Sequence, residues 1–215
     1  MKVALECFQP SSPRWFLFPG HRDRGFFIPK IHQSLLIMGL ILGVSACSAP
    51  GIDRYASRTP AFEPKAFFSG FITAHGVIKD FSGEVTRTFN ADIDGCWRDN
   101  TGTLDERFVF DDGEKQSRLW TLTETTNNNF VATAGDVVGD GYAVTAGNAF
   151  FLEYTLRVQL ADGDSIDLRI DDRMYRVSDN VVINQSVMNK FGIPVGEILL
   201  TLVRHPDRQV TCAQD

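Results

Sequence analysis

From Gly70 onward apolar residues recur at every second position, the period of strands that turn one face to a core and the other to water. Between Val85 and Asp94, the residues Val85, Phe89, Ala91 and Ile93 alternate with Thr86, Thr88, Asn90 and Asp92, and Arg87 interrupts the apolar face. Farther along, Phe150, Leu152, Tyr154, Leu156, Val158 and Leu160 share one side. Ile166, Leu168 and Ile170 do the same against Asp167, Arg169 and Asp171. Asp111-Asp112-Gly113, Gly139-Asp140-Gly141 and Asp162-Gly163 punctuate these runs and suit the positive φ of tight hairpins. Eight or nine strands are predicted, near 70–79, 85–94, 103–111, 115–124, 129–138, 142–161, 164–176, 180–189 and 196–204, with 142–161 reading as one strand or two. Only a short helical turn is predicted, around Val187 to Lys190. A meander of this many strands avoids exposed edges by closing on itself. The predicted fold is therefore all-β, an antiparallel up-and-down barrel, and about eight strands enclose room for side chains or one small ligand.

The period-two pattern does not reach the N-terminus. Arg22, Arg24 and Lys30 precede an unbroken apolar and small stretch from Ser34 to Ala46, the layout of an export signal. The stretch is shorter than the roughly 20 residues of a bilayer-spanning helix. It ends in Val44-Ser45-Ala46-Cys47, which resembles the lipobox of bacterial lipoproteins and makes Cys47 the expected lipidation site. Acyl chains on one cysteine anchor a domain without spanning the membrane. Ser48 in the following position favours sorting to the outer membrane, with the domain facing the periplasm. Residues 1–30 are long for a leader and read as a misassigned start or a genuine extension. The expected organisation is leader and signal peptide over 1–46, a lipidated tether over 47–66 and a β-barrel over 67–215. Pro50, Gly51, Pro60 and Pro64 argue against regular structure in the tether, with Phe62 and Phe67 docking where the fold begins.

Removing residues 1–46 takes five basic residues (Lys2, Arg14, Arg22, Arg24, Lys30) and two acidic ones (Glu6, Asp23) from totals of 21 and 27. The remaining 16 and 25 give a net charge near −9. Such a surface does not suit nucleic acid. With Cys7 removed and Cys47 lipidated, Cys96 and Cys212 remain, either as a disulfide, which an oxidising envelope permits, or as two free buried thiols.

Motifs for chemistry are sparse. Beyond the leader the histidines are His75 and His205, far apart and outside any HExxH spacing, so no metal site is expected. GxSxG, GxGxxG and P-loop patterns are missing, and no catalytic residue or cofactor site is assigned. Asn90-Ala91-Asp92-Ile93-Asp94-Gly95 mimics half of an EF-hand, but its twelfth position is Thr101 where the bidentate Glu belongs. Neighbours on a strand face opposite sides, so Asp171 and Asp172 do not converge on one substrate; one of them is expected inside, as the partner of Arg118.

The clusters Phe108-Val109-Phe110-Asp111-Asp112-Gly113, Arg118-Leu119-Trp120, Gly135-Asp136-Val137-Val138-Gly139, Gly147-Asn148-Ala149, Asp171-Asp172-Arg173-Met174-Tyr175 and Met188-Asn189-Lys190-Phe191-Gly192, in this order, resemble the DUF3833 family of proteobacterial lipoproteins. Arg173 departs from the pattern, standing where an aromatic is expected. The resemblance implies a small envelope lipoprotein with a lipocalin-like barrel and supplies no activity. The reading that follows is an outer-membrane-anchored lipoprotein that binds or chaperones an apolar, lipid-derived molecule. The alternative is an envelope interaction protein with a filled barrel. Candidate ligand walls are Trp120, Tyr154, Met174, Met188 and Phe191; Arg118, Asp136, Asn148 and Lys190 are candidates to orient a carboxylate or headgroup.

Overall fold

The computed structural model describes residues 50–126, 128–160 and 163–212. Cys47 and the apolar run before it lie outside the described residues, as does Asp162. Ten strands form one sheet: β1 (Gly70–Asp80), β2 (Val85–Arg98), β3 (Thr101–Phe110), β4 (Lys115–Glu124), β5 (Asn129–Thr133), β6 (Gly141–Ala146), β7 (Ala149–Gln159), β8 (Ser165–Ser178), β9 (Val181–Lys190) and β10 (Ile193–His205). Chain neighbours pair antiparallel, and β1 pairs with β10, which closes the barrel. The strands outnumber the eight or nine predicted because a hairpin at Gly147, φ +52°, divides the run at 142–161. β9 continues through Val187 to Lys190 in place of the predicted helical turn, since β8 and β10 pair with it on both sides. The EF-hand look-alike at 90–95 is ordinary β2 strand, its alternating oxygens belonging to the outer face.

In a barrel of this kind alternate positions face the lumen. Ile72 and Ala74 of β1, Ala91 and Ile93 of β2, Leu104 of β3, Trp120 and Leu122 of β4, and Phe150 and Leu152 of β7 thus join one buried core. Hairpins join β2 to β3, β4 to β5, β6 to β7 and β8 to β9 at one end of the barrel, and that end is plugged. A single-turn helix, α1 (Pro64–Phe67), brings Phe62, Phe67 and Phe68 onto the core, each at most 3% exposed. Phe62 meets Phe67 at 5.4 Å and Phe150 at 5.6 Å between ring centroids, and Phe150 meets Phe130 at 5.7 Å. Such aromatic contacts add to the burial of the rings themselves.

The segment expected as a tether is bound to the barrel from Pro50 onward. The Pro50 carbonyl accepts from Arg173 Nη1 at 3.0 Å, and the Ala61 carbonyl from Arg176 Nη1 at 2.6 Å. Tyr55 rests on Phe151 and Tyr175 on the outer wall. Two glycines permit the approach: a Cβ on Gly147 would stand 1.7 Å from the Tyr55 carbonyl oxygen, and one on Gly95 would stand 1.8 Å from that of Phe68. The prolines limit regular structure without freeing the chain, because its polar backbone is bound by side chains of β8. Cys96 of β2 and Cys212 beyond β10 are joined in a disulfide, with Cα atoms 5.7 Å apart. Among the described residues no helix is long and apolar enough to cross a membrane.

Candidate functional site

Above the aromatic plug the lumen holds a cavity of about 120 Å³. Its floor and most of its wall are apolar: Phe68 and Phe150 below, with Phe89, Ile93, Leu104, Phe108, Leu122 and Leu152 around the sides. The remaining wall carries Glu106, Arg118, Tyr154, Asp172, Asn184 and Ser186. This is the composition of a small-molecule site, mostly apolar with a few converging polar groups. The volume bounds the occupant. Pockets for drug-sized ligands run roughly 300–1,000 Å³, whereas a void near 150 Å³ holds one benzene ring. The cavity therefore accommodates one ring or a short alkyl segment.

Sheet register builds the polar wall. Glu106 of β3 lies directly across from Arg118 of β4. Asp172 of β8 lies across from Ser186 of β9, and Met174 from Asn184 one rung away. Asp172 is 7% exposed and accepts hydrogen bonds on Oδ1 from the Asn184 amide and, at 2.9 Å, from the Ser186 hydroxyl. Both bonds fall on one oxygen, which leaves Oδ2 without a protein donor among the described residues. Burial pushes the Asp172 carboxyl up to about 6 against the pull of Asn184, Ser186 and Arg118. Glu106 is pushed up to about 7, first by burial, although Arg118 stabilises its anion and Trp120 donates a hydrogen bond to it. By accessible surface Glu106 is half-buried, and it lines the cavity. Tyr154 has its pKa raised by burial and by Asp172, and its ring meets Trp120 edge-on at 5.1 Å.

Arg118 corrects an expectation. Its partner is Asp136, not Asp171 or Asp172: Nε donates to Oδ1 and Oδ2 at 3.1 and 2.9 Å, and Nη2 to Oδ2 at 2.7 Å. Asp136 comes from the loop between β5 and β6, which β7 fixes through Arg157 N donating to Asp136 O at 2.8 Å and Val138 N to Thr155 O at 2.8 Å. Burial works against the Arg118 cation, but Tyr154, Glu106 and Asp136 offset it and raise its pKa. Asp171 faces outward and binds Arg173, whose guanidinium lies 4.7 Å over the Phe151 ring. The residue that departs from the expected aromatic thus covers an aromatic on the outer wall.

Of the residues singled out from sequence, Arg118, Trp120, Tyr154 and Met174 line the cavity, and Asp136 joins them through Arg118. The others do not. Asn148 sits in the β6–β7 hairpin and donates to the Arg176 carbonyl at 3.1 Å. Lys190 donates to the Asp167 carbonyl at 3.0 Å, and Met188 packs near Gly196. Phe191 is 92% exposed at the β9–β10 turn, not a wall residue. Missed were Glu106, Asn184 and Ser186. The signal was present as parity: Glu106 alternates with Leu104 and Phe108, and Asn184 and Ser186 follow Val182 on the buried face. A polar residue at an inward position is the informative exception.

Neither His75 nor His205 reaches the lumen; they bond Asn90 at 2.6 Å and Thr73 at 2.9 Å. No group of three or more metal-ligating side chains is found among the described residues.

The sequence profile of the family described as "Protein of unknown function (DUF3833)" matches residues 41–204. No curated protein matches the chain. Among solved structures it is similar to the S-type phycobiliprotein lyase CPES from Guillardia theta, with a TM-score of 0.51 and 12% identity over 74% of this chain and 100% of that one. At that identity the likeness is one of fold, a lipocalin-like barrel.

Proposed function

Because the chain belongs to DUF3833, a family that supplies no activity, we propose a function from the lumen itself: binding of an apolar, lipid-derived molecule, one segment of which enters the barrel. The observation that carries this reading is the cavity, apolar on most sides and closed below by Phe68 and Phe150, with polar groups gathered on one wall. A barrel evolved only to present an outer surface has no reason to hold Glu106 and Asp172 in a desolvated void, where each pays against its own ionisation. The limited volume means that a long chain extends beyond the cavity, so the barrel grips part of its ligand. Binding is favoured over catalysis because Ser186, the one hydroxyl nucleophile of aliphatic type on the wall, is bonded to Asp172 and has no histidine beside it.

Titration of the purified protein with a medium-chain monoacylglycerol, a neutral lipid-derived probe, tests the reading. Saturable binding with micromolar affinity, about −8 kcal/mol, and a change in Trp120 emission are expected. Absence of saturable binding in a cooperatively melting protein removes the binding function in favour of an interaction protein.

The reading includes a location. Val44-Ser45-Ala46-Cys47 supports lipid anchorage at Cys47, and Ser48 supports the outer membrane. Cys47→Ser is expected to move the protein from the membrane pellet to the soluble envelope fraction. A variant that still sediments with the outer membrane is held there by something else.

A further inference from the structure

The polar wall has a sign. Arg118 is the single cation among the residues lining the cavity, and its Nε–Nη2 edge is already occupied. Three contacts of its Nε and Nη2 with Asp136 supply the carboxylate that an acidic ligand would otherwise bring. Apart from Arg118 Nη1, what faces the lumen is rich in acceptors: the Glu106 carboxyl, the Asp172 Oδ2 that no protein group binds among the described residues, and the Tyr154 phenol, which both accepts and donates. Asp172 is more than nine-tenths buried, and its two donors, Asn184 and Ser186, hold it from one side with its free oxygen left to the cavity.

A ligand carboxylate entering this space would meet two carboxyl groups and a neutralised guanidinium. It would have to compete with Asp136 for the guanidinium or pair with Nη1 alone while lying against two carboxyl groups, and buried, poorly paired charge is disfavoured. An ammonium or other N–H donor meets the reverse situation. It finds acceptors that burial has partly stripped of water, and it relieves the repulsion between Glu106 and Asp172 when both ionise.

We propose that the lumen selects an apolar ligand whose polar group is an amine or other N–H donor, held between Glu106 and Asp172, and that it rejects fatty-acid carboxylates. The inference rests on the reading that the lumen binds a ligand at all, and it reverses the sequence-based expectation that Arg118 orients an acid. Asp136, outside the cavity lining, acts as a positioning residue, by engaging the Nε–Nη2 edge of Arg118 that a ligand's acid would otherwise take.

The test compares hexylamine, hexan-1-ol and hexanoate, which share one chain and differ in the polar group, by calorimetry on the purified protein at neutral pH. Hexylamine is expected to bind at least tenfold more tightly than hexanoate, with the alcohol between them. Asp172→Asn is expected to remove most of the advantage of the amine over the alcohol, read as the ratio of the two affinities within the same variant. Asp136→Asn frees Arg118 and is expected to improve hexanoate relative to hexylamine, a reordering that loss of structure alone would not produce. Hexanoate binding the unaltered protein as tightly as hexylamine overturns the proposed selectivity and leaves lumenal binding standing. Failure of all three, the alcohol included, overturns lumenal binding and the selectivity with it.

Discussion

The two parts of the lumen are built on opposite principles. At the plugged end, Phe62, Phe67, Phe68, Phe130 and Phe150 fill space with interlocking rings, each at most 3% exposed. On the wall above, Glu106, Arg118, Tyr154 and Asp172 surround a space that protein does not fill. The first arrangement gains stability from every contact. The second holds titratable groups where water cannot fully solvate them, and gives up stability in doing so. A fold that needed only stability would extend the rings upward, so the contrast locates function on the wall and scaffold in the plug.

The largest expected effect breaks the scaffold. Phe67→Ala removes a ring that is 2% exposed and opens a void between Phe62 and Phe68. It is expected to cost about 3–5 kcal/mol, read from denaturant midpoints at constant m-value. A loss below about 1 kcal/mol would mean that the plug is an accessory to the barrel.

The next acts where the two regions meet the outside. Arg118→Met strands Asp136, but that carboxylate is 38% exposed and keeps some water. The cost is therefore expected near 1–3 kcal/mol, below the 3–5 of a fully buried pair. Adding Asp136→Asn should recover part of it. Equal melting of the single and double variants would show that the ion pair contributes little to the fold and serves the lumen alone.

The smallest effect sharpens the comparison through pH. Glu106 titrates near 7 in the fold against an ordinary 4.5, and Asp172 near 6 against 3.8. The folded state thus holds these protons more tightly than the unfolded chain. Their contribution is fully present below the ordinary values and is lost as pH rises through about 6 and 7. Glu106→Gln is expected to flatten the fall in stability between pH 5 and 8 by about 1–2 kcal/mol, discounted for the water the cavity admits. Thermal melts across that range measure it. A variant with the same slope as the parent would mean that Glu106 ionises freely.

Much of this was legible one residue at a time. Alternation in β2, β7 and β8 displayed the inward faces, because a strand between paired neighbours has only two sides. Asp111-Asp112-Gly113 announced a tight hairpin, since few residues tolerate positive φ, whereas Gly139-Asp140-Gly141 ends a longer loop between β5 and β6. Gly147 marked its hairpin only weakly, so that 142–161 read as one strand or two, because a lone Gly-Asn between alanines is a fainter turn signal than Asp-Gly. Trp120 and Tyr154 were recoverable as walls from parity alone. Phe191 was misplaced because a residue in a turn does not inherit the parity of the strand before it; it takes φ +52° and points to solvent, while Lys190, at the end of β9, donates to the Asp167 carbonyl instead of the cavity.

Sequence by itself determined the barrel class, the inward stripe of each strand and the acidic character of the surface, all of which follow from local period and composition. Tertiary structure alone decided partnership. Arg118 finds Asp136, 18 residues away, rather than the aspartates of β8, because the β5–β6 loop folds back over β4 and β7. The chain from Pro50 to Phe68 lies along the outer wall and then plugs the barrel end, rather than hanging as a tether, because Gly95 and Gly147, far along the sequence, leave its carbonyls room to approach. The polar wall exists because register sets Glu106 opposite Arg118 and Asp172 opposite Ser186. Period fixes which side of a strand is inside; only closure of the barrel fixes what each side chain meets there.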